Sequence, residues 1–150
     1  MLKHGRIPLV YKLGRSFIAE NYRDIIEIDV IQRYNIKFKN KLKELSKYLI
    51  SNCSKEISFN KIKNILNIGS TCTVKVYCID TEIINTIGFK ISENIGRLIE
   101  NLVAIELLRR KSYWFKSWKI YYFKTNNKEV DFLIRDGQET KQLIQVTYAS

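Results

Sequence analysis

Asp131 stands among apolar neighbours in "EVDFLIR", and Gln145 and Thr147 follow in "LIQVTYAS". A carboxylate in such a strand can help hold a hard cation. Phosphodiester cleavage assisted by Mg²⁺ needs two or three oxygen ligands converging on the ion, and a group that positions or activates water. A helix acid, a strand Asp and a Glu-x-Lys on the neighbouring strand would meet that need. A spacing of two puts both side chains of that last pair on one strand face. Glu106 is a second candidate carboxylate, because it falls within the apolar arc of a helix, where it is costly unless paired or metal-bound. Three readings are open: a metal-binding hairpin, a worn copy of one, or two ordinary strands with one awkward carboxylate.

The hairpin register bears on the choice. A five-residue loop from Asp136 to Thr140 pairs Arg135 with Lys141 and sets Asp131 opposite Gln145. A tight turn at Asp136-Gly137 sets Asp131 opposite Gln142 instead. Hairpin geometry permits both. The five-residue loop is the expected one, because it aligns Asp131, Gln145 and Thr147 on one face and Val130, Ile144 and Val146 on the other. Lys141 would then lie two strand steps before Gln145, on the same face, within reach only along the strand.

The elements that would carry these residues can be read from periodicity. "SENIGRLIENLVAIELLRRK" is the clearest helix, with Ser92 as cap, Glu93 in its first turn and Arg109, Arg110 and Lys111 in its last, as the macrodipole prefers. Its expected inner arc is Ile95, Leu98, Ile99, Leu102 and Val103; Arg97, Glu100, Asn101 and Ala104 fall on the less apolar side. "KIYYF" and "EVDFLIR" read as strands, the latter with Val130, Phe132 and Ile134 on one face. The aromatics of "SYWFKSWKIYYF" are interleaved with lysines. They are read as filling a sheet face, the alternative being a stacking surface for single-stranded nucleic acid.

Upstream, Phe38, Leu42, Leu45 and Leu49 form one helical stripe. Lys37, Lys39, Lys41, Lys43 and Lys47 occupy its other faces and are candidate phosphate contacts. "RDIIEIDVIQRYNI" is a weaker helix with Ile25, Ile28, Val30 and Ile31 inward. Ser58 is placed as the cap of a short helix that buries Ile62, Ile65 and Leu66 and stops at Gly69. "TCTVKVYCID" then alternates as a strand through Val74, Val76 and Cys78, and "TEIINTIGFK" is a short helix ending at Gly88. Two helices joined by a polar turn open a helix-turn-helix, but the recognition helix and wing do not follow. The expected division is a helical, partial winged-helix-like segment over 1–72 and a second domain over 73–150.

Bulk properties narrow the function. The chain has 150 residues and 45% apolar content, which suits one ordinary domain or two small ones. It carries 26 Lys and Arg against 15 Asp and Glu, net +11, which favours a polyanionic partner, nucleic acid first. No apolar run approaches the roughly 18 residues of a membrane span, and the first residues do not read as a signal peptide. A cytoplasmic protein without a membrane partner is expected. Cys53, Cys72 and Cys78 with the single His4 lack zinc-site spacings and are read as buried, inert thiols. There is no GxxxxGK[ST], hence no ATP site of the P-loop kind.

"GRLIENLVAIELLRR", "EVDF" and "LIQVTYAS", taken with "VIQRYNIKFKNKLKELSKYLISN", "EISFNKIKNILNIG" and "VYCIDTEIINTIGFK" upstream, resemble the C-terminal region of archaeal AAA-type ATPases. That region pairs a winged-helix-type segment with an uncharacterised domain of the PD-(D/E)XK, restriction-endonuclease-like group. The resemblance implies a mixed α+β (α/β) fold: a helical segment, then a truncated αβββ nuclease core, incomplete at its end. It implies Glu100 as the helix acid, Asp131 as the central ligand of a Mg²⁺, and Gln145 and Thr147 in the Glu-x-Lys place, with Glu106 as second choice on the helix. It also implies DNA as partner and a link to a full-length AAA-type ATPase. An ATPase module is not expected within this chain. Gln145 is neutral and Thr147 supplies no ammonium, so catalysis is expected to be impaired. A working Mg²⁺-dependent nuclease and a basic protein-interaction module are the alternatives. An exposed edge at one of the last strands would invite homodimerisation.

Overall fold

A computed structural model of the chain describes residues 10–58, 60, 62, 73–88, 95–125 and 128–148. Its contacts gather into two compact units, Met1–Glu93 and Asn94–Ser150. The fold is mixed α+β, and its strand pairs are antiparallel.

The first unit opens with helix α1 (Val10–Asp24), which is broken at Gly14, where φ is 71° and ψ −170°. A residue without Cβ takes that backbone at little cost. The chain continues as a π-helical segment, Ile25–Gln32, with Arg33 N–H reaching Ile28 O at 3.2 Å and Ile36 N–H reaching Ile31 O at 3.0 Å. The wider turn explains why the expected inward set fails. Ile31 is buried, whereas Ile25 and Ile28 are exposed, because each residue of a wide turn rotates less about the axis than an α-helical residue does.

Helix α2 (Lys39–Ser51) follows. Its Leu45 is buried with Ile57 and Ile62, and Tyr48, Leu49 and Val76 pack against them. Phe38 does not join this stripe. It is the N-cap residue and lies exposed, with the Lys41 ammonium 5.6 Å from its ring centre.

Strands β1 (Glu56–Ser58) and β2 (Thr73–Lys75) pair antiparallel, Ile57 opposite Val74. β2 thus belongs to the first unit, whereas the sequence reading set it at the head of the second domain. It is also shorter than expected, since Val76 and Cys78 lie beyond its end. The helix expected after Ser58 falls largely outside the described residues; Ser58 itself is in β1.

Helix α3 (Thr81–Ile87) is capped by Asp80, whose Oδ1 accepts from the Glu82 N–H at 2.8 Å. An Asp at this position satisfies a helix N–H that has no intrahelical partner. The helix ends at Gly88, as expected. No helix of the described residues is long and apolar enough to cross a membrane.

The second unit is helix α4 (Ile95–Tyr113) followed by strands β3 (Lys119–Lys124), β4 (Glu129–Asp136) and β5 (Glu139–Ile144). Their order in the sheet is β3-β4-β5, with β4 central. Phe132 and Ile134 are buried on one face of β4, as the alternation predicts. The expected cap Ser92 lies outside the described residues.

The face that α4 buries is not the expected one. Glu100, Asn101, Ala104 and Leu107 are its buried residues, while Leu98, Ile99, Leu102 and Val103 are half-buried and Ile95 is exposed. A helix with apolar residues on several sides does not itself specify which side is covered.

Candidate functional site

β4 and β5 set Phe132 opposite Ile144 and Leu133 opposite Leu143. Asp131 therefore faces Gln145, the register expected from sequence, but the turn that produces it is different. The hairpin closes as a two-residue turn, Gly137-Gln138, between paired Asp136 and Glu139, and an irregularity at Ile134/Arg135 absorbs one residue of β5. Gly137 has φ 59°, which a glycine at the first central position of a tight hairpin turn provides. A short turn plus a bulge thus gives the same pairing as the five-residue loop.

Asp131 is buried, with 5% exposure. Its Oδ2 accepts from Gln145 Nε2 at 2.8 Å and from the Val146 backbone N–H at 2.9 Å. Two N–H donors compensate a carboxylate that would otherwise be expensive away from water. Glu100, at 9% exposure, is also buried within this unit and has interactions of its own. Thr147 is exposed and lies past the end of β5.

Glu106 is held by arginines. Arg109 donates Nε to Oε2 at 2.8 Å and Nη2 to Oε1 at 2.9 Å, and Arg110 donates Nε to Oε1 at 2.9 Å. Hydrogen bonds from Arg109, then from Arg110, lower its pKa to about 2. The arc that carries Glu106 is not the covered face of α4, so its carboxylate meets the arginines half-exposed at the surface. Lys141 is likewise committed: its Nζ lies 2.6 Å from Glu139 Oε2, and that contact raises its pKa. It does not extend along the strand toward Asp131.

Among the described residues no group of three or more His, Cys, Asp or Glu could hold a metal ion. Gln145 presents N–H to Asp131, Glu106 faces two guanidiniums, and Thr147 carries no charge. As they stand, Gln145 and Glu106 therefore add no oxygen ligand beside Asp131 for a Mg²⁺ centre.

The basic residues singled out on and just before α2 lie on the surface of the first unit: Lys37, Lys39, Lys41 and Lys47 are exposed. Lys43 is half-exposed and paired with Glu27. Lys43 and Lys47 border a cavity of about 300 Å³ with Tyr22, Arg23, Ile26 and Ile87.

Two features depart from the favoured expectation. Cys53 is buried and its thiol donates to Cys78, whose pKa falls to about 7 mainly through that bond and against the raising effect of burial. The expectation of inert thiols rests on the missing zinc-site spacings, which say nothing of a contact between two thiols. The second feature is the aromatic run after α4. Tyr113, Trp114 and Phe115 do not fill a sheet face; they stand exposed at the helix end and the turn beyond it. The interleaved lysines were the available signal.

The architecture is thus a helical unit with a small two-stranded sheet, followed by a helix and a three-stranded antiparallel sheet. Residues 95–150, the second part, match a family described as a domain of unknown function, DUF4143. The uncharacterized protein MJ1544 of Methanocaldococcus jannaschii is 33% identical over a 185-residue alignment covering 98% of this chain and 41% of that protein. The chain therefore spans less than half the length of this curated relative. No solved structure matches.

Proposed function

We propose that the chain is a nucleic-acid-binding module built on a nuclease-like helix and three strands, equivalent to the C-terminal region of archaeal AAA-type ATPases, with its cleavage chemistry largely lost. The observation that carries this reading is the environment of Asp131. Its Oδ2 is taken by an amide and a backbone N–H, where a nuclease would gather oxygen ligands and an ammonium group. Each missing stabilising group costs roughly a hundredfold or more in rate. The net charge of +11 and the exposed lysines of α2 support a phosphate partner. The archaeal origin of the similar protein agrees with the same reading. Association with a second chain, either another copy or an ATPase, would use the β5 edge, whose residues 139–143 are exposed.

Two assays test this. The chain should shift duplex DNA at low salt, with log affinity falling by about 0.9 per phosphate neutralised for each log unit of salt. Supercoiled DNA with Mg²⁺ or Mn²⁺ should stay uncut by both the native chain and Asp131→Ala. Cleavage by the native chain that disappears in the variant would mean that a working nuclease site survives. Absence of any shift at low salt would remove the nucleic-acid reading.

A further inference from the structure

The end of α4 and the turn that follows it combine two properties rarely left together on a surface. Tyr113, Trp114 and Phe115 are 70%, 62% and 96% exposed. Large aromatics bury a great deal of apolar area when covered, so three adjacent exposed ones mark a surface that gains from a partner. Phe115 has φ 48°, a left-handed conformation that disfavours a bulky side chain, and it is the residue most fully presented to solvent. Tyr113 and Trp114 meet edge to face at 5.1 Å between ring centres, an arrangement that leaves ring faces uncovered. Beside them a groove of about 570 Å³ is lined by Arg109, Arg110, Trp114, Lys116 and Trp118, among others. Its volume lies within the roughly 300–1,000 Å³ of ordinary ligand pockets.

Charge decides what kind of partner fits. From residue 106 to residue 119 the cations are Arg109, Arg110, Lys111, Lys116 and Lys119, against Glu106 within the segment and Asp136, which accepts from Ser117 Oγ. Glu106 binds Arg109 and Arg110 and so fixes both guanidiniums at the groove while cancelling only one of the positive charges. An apolar protein partner would have to desolvate those cations. Unpaired nucleotides use both features, because bases stack on aromatic faces and phosphates meet the fixed cations.

We infer that this connection is a binding site for single-stranded nucleic acid, with Trp114 and Phe115 stacking bases and Arg109, Arg110 and Lys116 meeting phosphates. The inference rests on the nucleic-acid reading above and adds the form recognised and the residues that recognise it. It also assigns a use to aromatics that the αβββ core does not need for packing.

The test uses the full chain with three probes: a single-stranded oligothymidine, an abasic strand of equal length, and a duplex of equal length. The native chain should bind the oligothymidine with quenching of tryptophan fluorescence, and bind the abasic strand at least tenfold more weakly. The double variant Trp114→Ala, Phe115→Ala should lose tenfold or more toward oligothymidine while keeping duplex affinity, its fold checked by circular dichroism. Because both side chains are exposed, loss of fold is not expected. As a second variant, Lys116→Gln should weaken both strands and lower the salt slope. Unchanged oligothymidine affinity in the double variant, or equal affinity for abasic and normal strands, would overturn the inference. Duplex binding without single-strand binding would overturn it while leaving the nucleic-acid reading intact. Failure to bind any probe would overturn both, and a partner protein captured through Trp114 and Phe115 would then be the occupant.

Discussion

Replacing Asp131 separates a structural carboxylate from a metal ligand. In Asp131→Ala the Val146 N–H loses its acceptor in a half-buried position. A donor left unsatisfied away from water costs about 1–3 kcal/mol. The Gln145 amide adds little, since its side chain is exposed and can turn to water. A total near 2 kcal/mol follows, and for a chain of this length that lowers Tm by about 4–8 °C. Asp131→Asn should be far milder. Its remaining oxygen, placed where Oδ2 lies, can still accept from both Val146 and Gln145, so the loss should stay below about 1 kcal/mol. Thermal unfolding followed by circular dichroism reads the global effect, and hydrogen exchange at the Val146 amide reads the local one. The reasoning fails if Asp131→Ala melts like the native chain with the Val146 amide still protected. It also fails if Mg²⁺ raises the Tm of the native chain but not of the variant, since Asp131 would then be a cation ligand.

Alkylation of Cys78 should be half-maximal near pH 7, well below the ordinary thiol value, and Cys53→Ala should move that midpoint upward by removing the donor. Because the folded-state pKa is depressed from 9.0 to about 7, this thiol should add stability as pH rises from about 7 to 9 and lose it again as pH falls; an alkylation midpoint near 9 would refute the contact. Gly88→Ala should destabilise by about 1–3 kcal/mol, because a Cβ there would stand 2.5 Å from the Ile84 carbonyl oxygen; urea unfolding with an unchanged midpoint would contradict this. Glu106 should stay ionised down to about pH 2, so its pairing supports the fold at and above the ordinary carboxylate range and fails as pH falls through about 2; a side-chain carbon titration near 4.5 by NMR would show that the arginines do not hold it.

Much of the second unit was legible because its signals are local. Alternation in "EVDFLIR" identifies a strand with Phe132 and Ile134 on its buried face, since successive strand residues point to opposite sides whatever lies beyond. The pairing of Asp131 with Gln145 was legible too, because one register alone aligns both hairpin faces. The turn was not: a two-residue turn plus a bulge and a five-residue loop give the same alignment of Asp131, and sequence preference does not separate them. In the first unit α1 was missed, and the π-helical turn redirected Ile25 and Ile28. The second outcome depends on how the helix is wound, and a run of isoleucines does not reveal that; in α1 a glycine near the start, Gly14, interrupts the helical signal.

From the residues alone came the elements, the strong positive charge, the neutral Gln145 and Thr147 near the Asp131 strand, and the expectation of a mixed α+β fold. Tertiary structure decided which side of α4 is covered, that arginines hold Glu106, that Lys141 turns to Glu139, and that Tyr113, Trp114 and Phe115 remain open to solvent. The division has one cause. Backbone periodicity and charge belong to neighbours along the chain, whereas burial and ionic pairing belong to neighbours in space, and several of these side chains had more than one partner available until the fold selected it.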